Sequence, residues 1–255
     1  MQPLVSKPIF GQKLNMKTSL FAIAALFSAG LSFQAEAQAL KTETRKIGSF
    51  TGLKTSGNYT ILLKKSSEEK VEMIGPEEQV NRVITEVNGD QLSIREKTDG
   101  KDWSSGKKGI TITVWYKELN SLSSSGSSEI SNEEPLNSDK LYISASGSGE
   151  IELDVICKDV KASVSGSAEI ELKGKTESLL VNVSGSGEVE AFELAAETVT
   201  ASVSGSGTIE TRPSKLLNGR VSGSGDILYV GDPATLDIKT SGSGKIKKLN
   251  KVPKD

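Results

Sequence analysis

The chain is 255 residues long, with 35% hydrophobic and 25% charged side chains, a formal net charge of −2 and no histidine. Lacking histidine, it has neither the usual general base nor the commonest metal ligand, which excludes serine-hydrolase triads and most zinc chemistry. The slightly acidic balance offers no electrostatic footprint for nucleic acid, and a single cysteine, Cys157, excludes internal disulfides.

Residues 1–39 read as a secretory signal peptide, with Met16 an alternative start. Lys17 precedes an apolar stretch from Leu20 to Leu31, and small-residue cleavage sites follow at Ala35-Glu-Ala37 and Ala37-Gln-Ala39. The apolar stretch is too short to span a bilayer stably, so the product is expected to be exported without a membrane span. No cysteine near the cleavage region points to a lipid anchor. Without Lys7, Lys13, Lys17 and Glu36, the 31 basic and 33 acidic side chains fall to 28 and 32, a net charge of about −4.

Residues 40–120 are predicted to form the first coil and a cap. Ser56-Gly57 with Ile61 is the first copy of a motif that recurs along the chain. The 69 residues before its next copy change character. Strands are expected at 71–74, 91–94 and 110–115, a turn at Gly75-Pro76 leads into a short helix through Val80, Val83 and Ile84, and Asn88-Gly89 is a hairpin signal. Trp103 and Trp115 both fall in this stretch, which is predicted to close the N-terminal end of the stack.

Residues 121–248 carry the regular repeat. Its corners are Gly126, Gly147, Gly166, Gly185, Gly205, Gly223 and Gly242, spaced 18 to 21 residues apart and each preceded by serine. Four residues on stand Ile130, Ile151, Ile170, Val189, Ile209, Ile227 and Ile246. Apolar residues alternate on both sides of the corner, as at Val160, Ala162 and Val164, then Ile170 and Leu172. Each rung therefore reads as strand, Ser-Gly-Ser-Gly corner, strand, then a short polar return such as 173–178. A rung of about 19 residues has no room for a crossover helix. The fold predicted is all-β, a right-handed parallel β-helix whose seven coils rise about 4.8 Å each to roughly 34 Å. An antiparallel meander is the competing arrangement, but it would not stack identical corners. The corner glycines are needed for φ > 0. A second glycine (149, 187, 207, 225, 244) allows close backbone approach, and Tyr59, Ser128 and Ala168 replace it in three copies. A phosphate-cradling loop is not implied, because a strand and not a helix follows each corner. Cys157 is expected as a small core-facing or loop residue. Lys245, Lys247, Lys248, Lys251 and Lys254 would protect the last strand edge, and 249–255 forms a polar tail.

Stacking predicts columns of equivalent side chains. Three residues after the corner come Glu129, Glu150, Glu169, Glu188, Thr208, Asp226 and Lys245; five after come Ser131, Glu152, Glu171, Glu190, Glu210, Leu228 and Lys247. Carboxylates about 4.8 Å apart repel by about 0.9 kcal/mol in water. The face reads first as a solvated acidic surface. A weaker alternative is a low-affinity Ca²⁺ surface formed by Glu150, Glu152, Glu169, Glu171, Glu188 and Glu190. The opposite strand carries small hydroxyl side chains such as Ser144, Ser163 and Ser202, suited to adhesion or self-association.

The corner repeat, Phe50-Thr-Gly-Leu53 with Ser56-Gly57-Asn58, and the run from Ile112 through Trp115 to Gly126 are similar to the putative auto-transporter adhesin family, the head GIN domain. The resemblance spans about residues 45–248 and implies a β-helix-like fold in an exported or cell-surface protein. It brings no catalytic residues and no cofactor. Family members often carry Asn or Asp where this chain mostly places Glu. The function expected is a non-enzymatic interaction module for an unidentified surface ligand, glycan or protein. A polysaccharide lyase or hydrolase using paired carboxylates, or an oligomer-building subunit, are the alternatives.

Overall fold

The computed structural model describes residues 40–97 and 109–253, so the expected leader, Trp103 and Lys254 lie outside the described residues. The N-terminal part runs β1 (Leu40–Lys46), β2 (Gly52–Gly57), β3 (Tyr59–Lys65), β4 (Lys70–Pro76), α1 (Glu77–Val80), β5 (Val83–Asn88), β6 (Gln91–Glu96) and β7 (Ile110–Tyr116). The repeat region continues as β8 (Ser121–Gly126), β9 (Glu129–Asn132), β10 (Leu136–Gly147), β11 (Glu150–Gly166), β12 (Glu169–Gly185) and β13 (Glu188–Glu190). It ends with β14 (Leu194–Gly205), β15 (Thr208–Gly223), β16 (Asp226–Tyr229), β17 (Thr235–Gly242) and β18 (Lys245–Lys248).

These strands stack as a parallel β-solenoid. Glu150 pairs with Glu169, Val164 with Val183 and Gly166 with Gly185, and the same register continues from coil to coil. Parallel pairing of every repeat removes the meander alternative. The period-two pattern does what the spacing implies: Ile151, Leu153 and Val155 point into the core, as do Val160, Ala162 and Val164. The core is a set of axial columns, such as Ile130, Ile151, Ile170, Val189, Ile209 and Ile227, all buried.

The polar return is the part of the rung the structure corrects. Residues 173–178 are strand, not loop: Asp154 pairs with Lys173, Val155 with Gly174, Ile156 with Lys175 and Cys157 with Thr176. Backbone groups stacked at the repeat distance bond to the next coil whatever their side chains, so polarity does not break the ladder. The chain turns instead where alternation slips, with Lys158 and Asp159 exposed in succession between buried Cys157 and Val160.

The corners show why glycine is needed. Gly185 has φ +114, and a Cβ there would lie 2.7 Å from the carbonyl oxygen of Gly166. That oxygen accepts a hydrogen bond from the Ser186 amide at 2.9 Å, and the pattern repeats when the Ser206 amide donates to the Gly185 carbonyl at 2.8 Å.

The first coil is inserted between partners distant in sequence. β2 pairs with β8 on one side and β6 on the other, while β3 pairs with β9 and β7. The chain leaves the first coil, builds a further coil from β6 and β7, and then returns past Gly57 to stack Gly126 upon it. Antiparallel strands finish this end: β4 lies on β7, β1 on β4, and β5 on β6. The opposite end carries no such cover among the described residues. Leu236 and Ile238 are 47% and 43% exposed, whereas Leu217, paired with Leu236, is fully buried.

Candidate functional site

The acidic columns form as the repeat implies. Glu129, Glu150, Glu169 and Glu188 are successive register partners, and Glu152, Glu171 and Glu190 form a second column beside them. Thr208, Asp226 and Lys245 continue the first column, so its charge reverses toward the C-terminal end. Partial burial, reinforced by Glu169, Glu129, Glu152 and Glu171, pushes the Glu150 carboxyl above its ordinary value. Glu188 moves the same way, through burial and then Glu169. The second column is met by a cation from the neighbouring one, in which Lys173 is the partner of Asp154. Lys173 Nζ lies 2.9 Å from Glu152 and 2.9 Å from Glu171; these two contacts hold its ammonium well above the usual lysine range. A lysine thus sits where a bridging cation would, and among the described residues no group of three or more acidic or cysteine side chains converges into a metal-binding cluster.

The sign of the pH effect follows from the raised carboxyls. A folded-state value above the unfolded one means the native protein binds protons more readily, so these groups oppose folding at neutral pH. Their penalty is relieved as pH falls through the raised values toward the ordinary value of 4.5. Glu150→Gln with Glu188→Gln should therefore raise Tm at pH 7 by about 1–3 °C. The gain should fade by about pH 4 and shrink in high salt. Thermal melts of the pair of proteins across pH check this, and a variant that melts lower at pH 7 would contradict it.

On the other arm the hydroxyl columns are equally regular: Ser144, Ser163, Asn182, Ser202, Arg220 and Lys239 are consecutive partners, as are Ser146, Ser165, Ser184, Ser204, Ser222 and Ser241. Ser125 and Ser146 donate to the carbonyls of Thr55 and Ser124 in the preceding coil. Tyr142 and Lys161, in the adjacent outward column, make this face less uniformly small than the serines alone suggest.

One feature escapes the corner-based reading. A groove of about 970 Å³ runs along the bend opposite the corners, past Cys157, Thr176, Ala196 and Pro213. The return segments differ in length, so counting from the glycines does not bring these residues into one column. The slip in alternation after each of them is the signal that could have revealed it.

Comparison with known proteins agrees with this architecture. The family described as "Putative auto-transporter adhesin, head GIN domain" matches residues 49–233. A crystal structure of a putative adhesin from Bacteroides fragilis is 24% identical, with a TM-score of 0.79, covering 84% of this chain and 98% of its own. One described as a putative lipid binding protein from Parabacteroides distasonis is 25% identical, with a TM-score of 0.70 and the same coverage. A putative adhesin from Parabacteroides merdae, 21% identical with a TM-score of 0.65, again covers 84% and 98%. No curated protein matches the chain. No helix among the described residues is long and apolar enough to cross a membrane. With most of its length matched and its corners, coils and register in place, the chain belongs to the putative auto-transporter adhesin family, head GIN domain.

Proposed function

We propose that the protein is an exported, non-enzymatic interaction module that adheres through an extended face of the solenoid. The observation that carries this reading is the repetition of the outward columns. Each Glu of the acidic face has an equivalent one coil away, so the carboxylates recur along the solenoid as a series. A catalytic pair is instead a single acid and a single base placed at one reacting bond. Adhesion instead gains from repetition, because a ligand with regularly spaced groups meets several equivalent positions at once.

The hydroxyl and acidic arms offer two chemistries on one rod: hydrogen bonding on one side, and charge on the other. Export is supported by the leader-like residues 1–39 and by the adhesin family. A glycan and extracellular-matrix array probed with the purified protein tests the reading. Saturable binding that weakens when Ser163, Ser202 or the acidic columns are substituted supports it. Turnover of an arrayed polysaccharide, lost on changing a single Glu pair, would replace it with an enzyme.

A further inference from the structure

The groove along the second bend is built differently from the two outward arms. Its floor is apolar or small, with Cys157, Ala196 and Pro213 buried and Thr176 turning its hydroxyl to the carbonyls of Lys158 and Ser178. Ile156, 39% exposed, adds apolar surface to one wall. From Ser138 to Gly231 the groove passes six coils, a length of about 24 Å at the strand spacing. Its volume of about 970 Å³ lies within the range of small-molecule sites, about 300–1,000 Å³.

Three kinds of occupant can be compared on this chemistry. Among the described residues no aromatic side chain lines the groove, so a sugar ring finds no stacking platform there. The floor strands already pair with one another, Cys157 with Thr176 and Ala196 with Pro213. An added peptide strand therefore finds no free edge to augment. A flexible hydrocarbon chain needs neither, and about 15 Å of acyl chain, half a bilayer core, leaves room for a headgroup.

Charge locates that headgroup. Around the groove, Lys158 pairs with Asp139 at 2.8 Å, Lys215 pairs with Glu197 at 2.6 Å, and Lys248 pairs with Asp232. Lys175 and Arg212 have no carboxylate partner among the described residues. They occupy one column, two coils apart with Ala195 between them, about 10 Å at the strand spacing. Glu177 lies on the other wall and sets the side an anion avoids.

We propose that this groove binds a fatty carboxylate, its carboxylate at the level of Ala196, between Lys175 and Arg212, and its acyl chain running from there over Thr176 and Cys157 toward Ser138. The site is separate from the outward faces on which adhesion is argued, so either reading can fail without the other. Calorimetric titration of the purified protein with decanoate, laurate and myristate below their micellar concentrations, and with 1-decanol, tests it. The expected result is one ligand per chain, tightening by about fourfold per added methylene and binding decanoate more tightly than decanol. Lys175→Gln with Arg212→Gln should weaken laurate about tenfold and leave decanol unchanged. Ile156→Glu, on the exposed wall where folding is undisturbed, should remove laurate binding. Absence of saturable binding, equal affinity for decanol and decanoate, or an Ile156→Glu variant that binds normally would overturn the proposal.

Discussion

Gly185→Ala should lower folding stability by about 3–4 kcal/mol, since it adds backbone strain to the loss of corner hydrogen bonding. At φ +114 an L side chain is strained whatever the space, and the added Cβ would meet the Gly166 carbonyl oxygen at 2.7 Å. Moving that oxygen disturbs the bond it accepts from Ser186, and the shift passes to the next coil through the Gly185 carbonyl. Gly187→Ala is the informative control. Gly187 lacks positive φ, although a Cβ there would approach Ala168 O and Val164 at 2.4 Å. The chain itself carries alanine at the equivalent position of the preceding coil, Ala168, packed above Gly149. Gly187→Ala should therefore be the milder change, about 1–2 kcal/mol from crowding alone. Urea unfolding of both variants measures the difference, and equal losses would show that the corner conformation is not what demands glycine.

A second large effect is expected in the core column. Ile170→Ala should destabilise by about 2–4 kcal/mol, because Ile170 is fully buried and lies between Ile151 and Val189. The same truncation at the far end should do much less. Leu236→Ala removes a side chain that is 47% exposed and is expected to change stability by about 0.5–1 kcal/mol. The contrast follows from quasi-one-dimensional stacking, in which an inner coil has two neighbours and the last has one. Chemical denaturation of both variants reads it directly, and similar losses at the two sites would mean the last coil is covered in solution.

Much of this architecture is legible in the residues because two signals coincide. The Ser-Gly corner fixes where the chain turns, and alternation at Val160, Ala162, Val164, Ile170 and Leu172 fixes which side is buried. Together they determine the register of the acidic and hydroxyl columns. Two things are not legible. The polar segment 173–178 lacks the apolar alternation that marks a strand, yet neighbouring coils supply its hydrogen-bond partners. The threading of β2 and β3 between β6–β7 and β8–β9 depends on pairings such as Gly52 with Gln91 and Gly57 with Gly126, which no local pattern records. Tyr59 shows the same limit on a smaller scale. It stands where later coils have glycine, and its ring fills the first corner, against Gly57, where a Cβ would lie 2.6 Å from it. The groove is hidden for a further reason: it lies on the return segments, whose unequal lengths break the count from corner to corner.

Register itself is the central claim, and paired cysteines on the serine column measure it. Ser165 and Ser184 are partners in adjacent coils, while Ser165 and Ser204 are separated by one coil more. At about 4.8 Å, the first pair lies within disulfide reach; at about 10 Å, the second lies beyond it. Mild oxidation of Ser165→Cys with Ser184→Cys should give an intramolecular disulfide, detected by intact mass and by peptide mapping, which also distinguishes it from a bridge to the free Cys157. Ser165→Cys with Ser204→Cys should stay reduced. Crosslinking of the second pair in preference to the first would contradict the stacked, in-register solenoid.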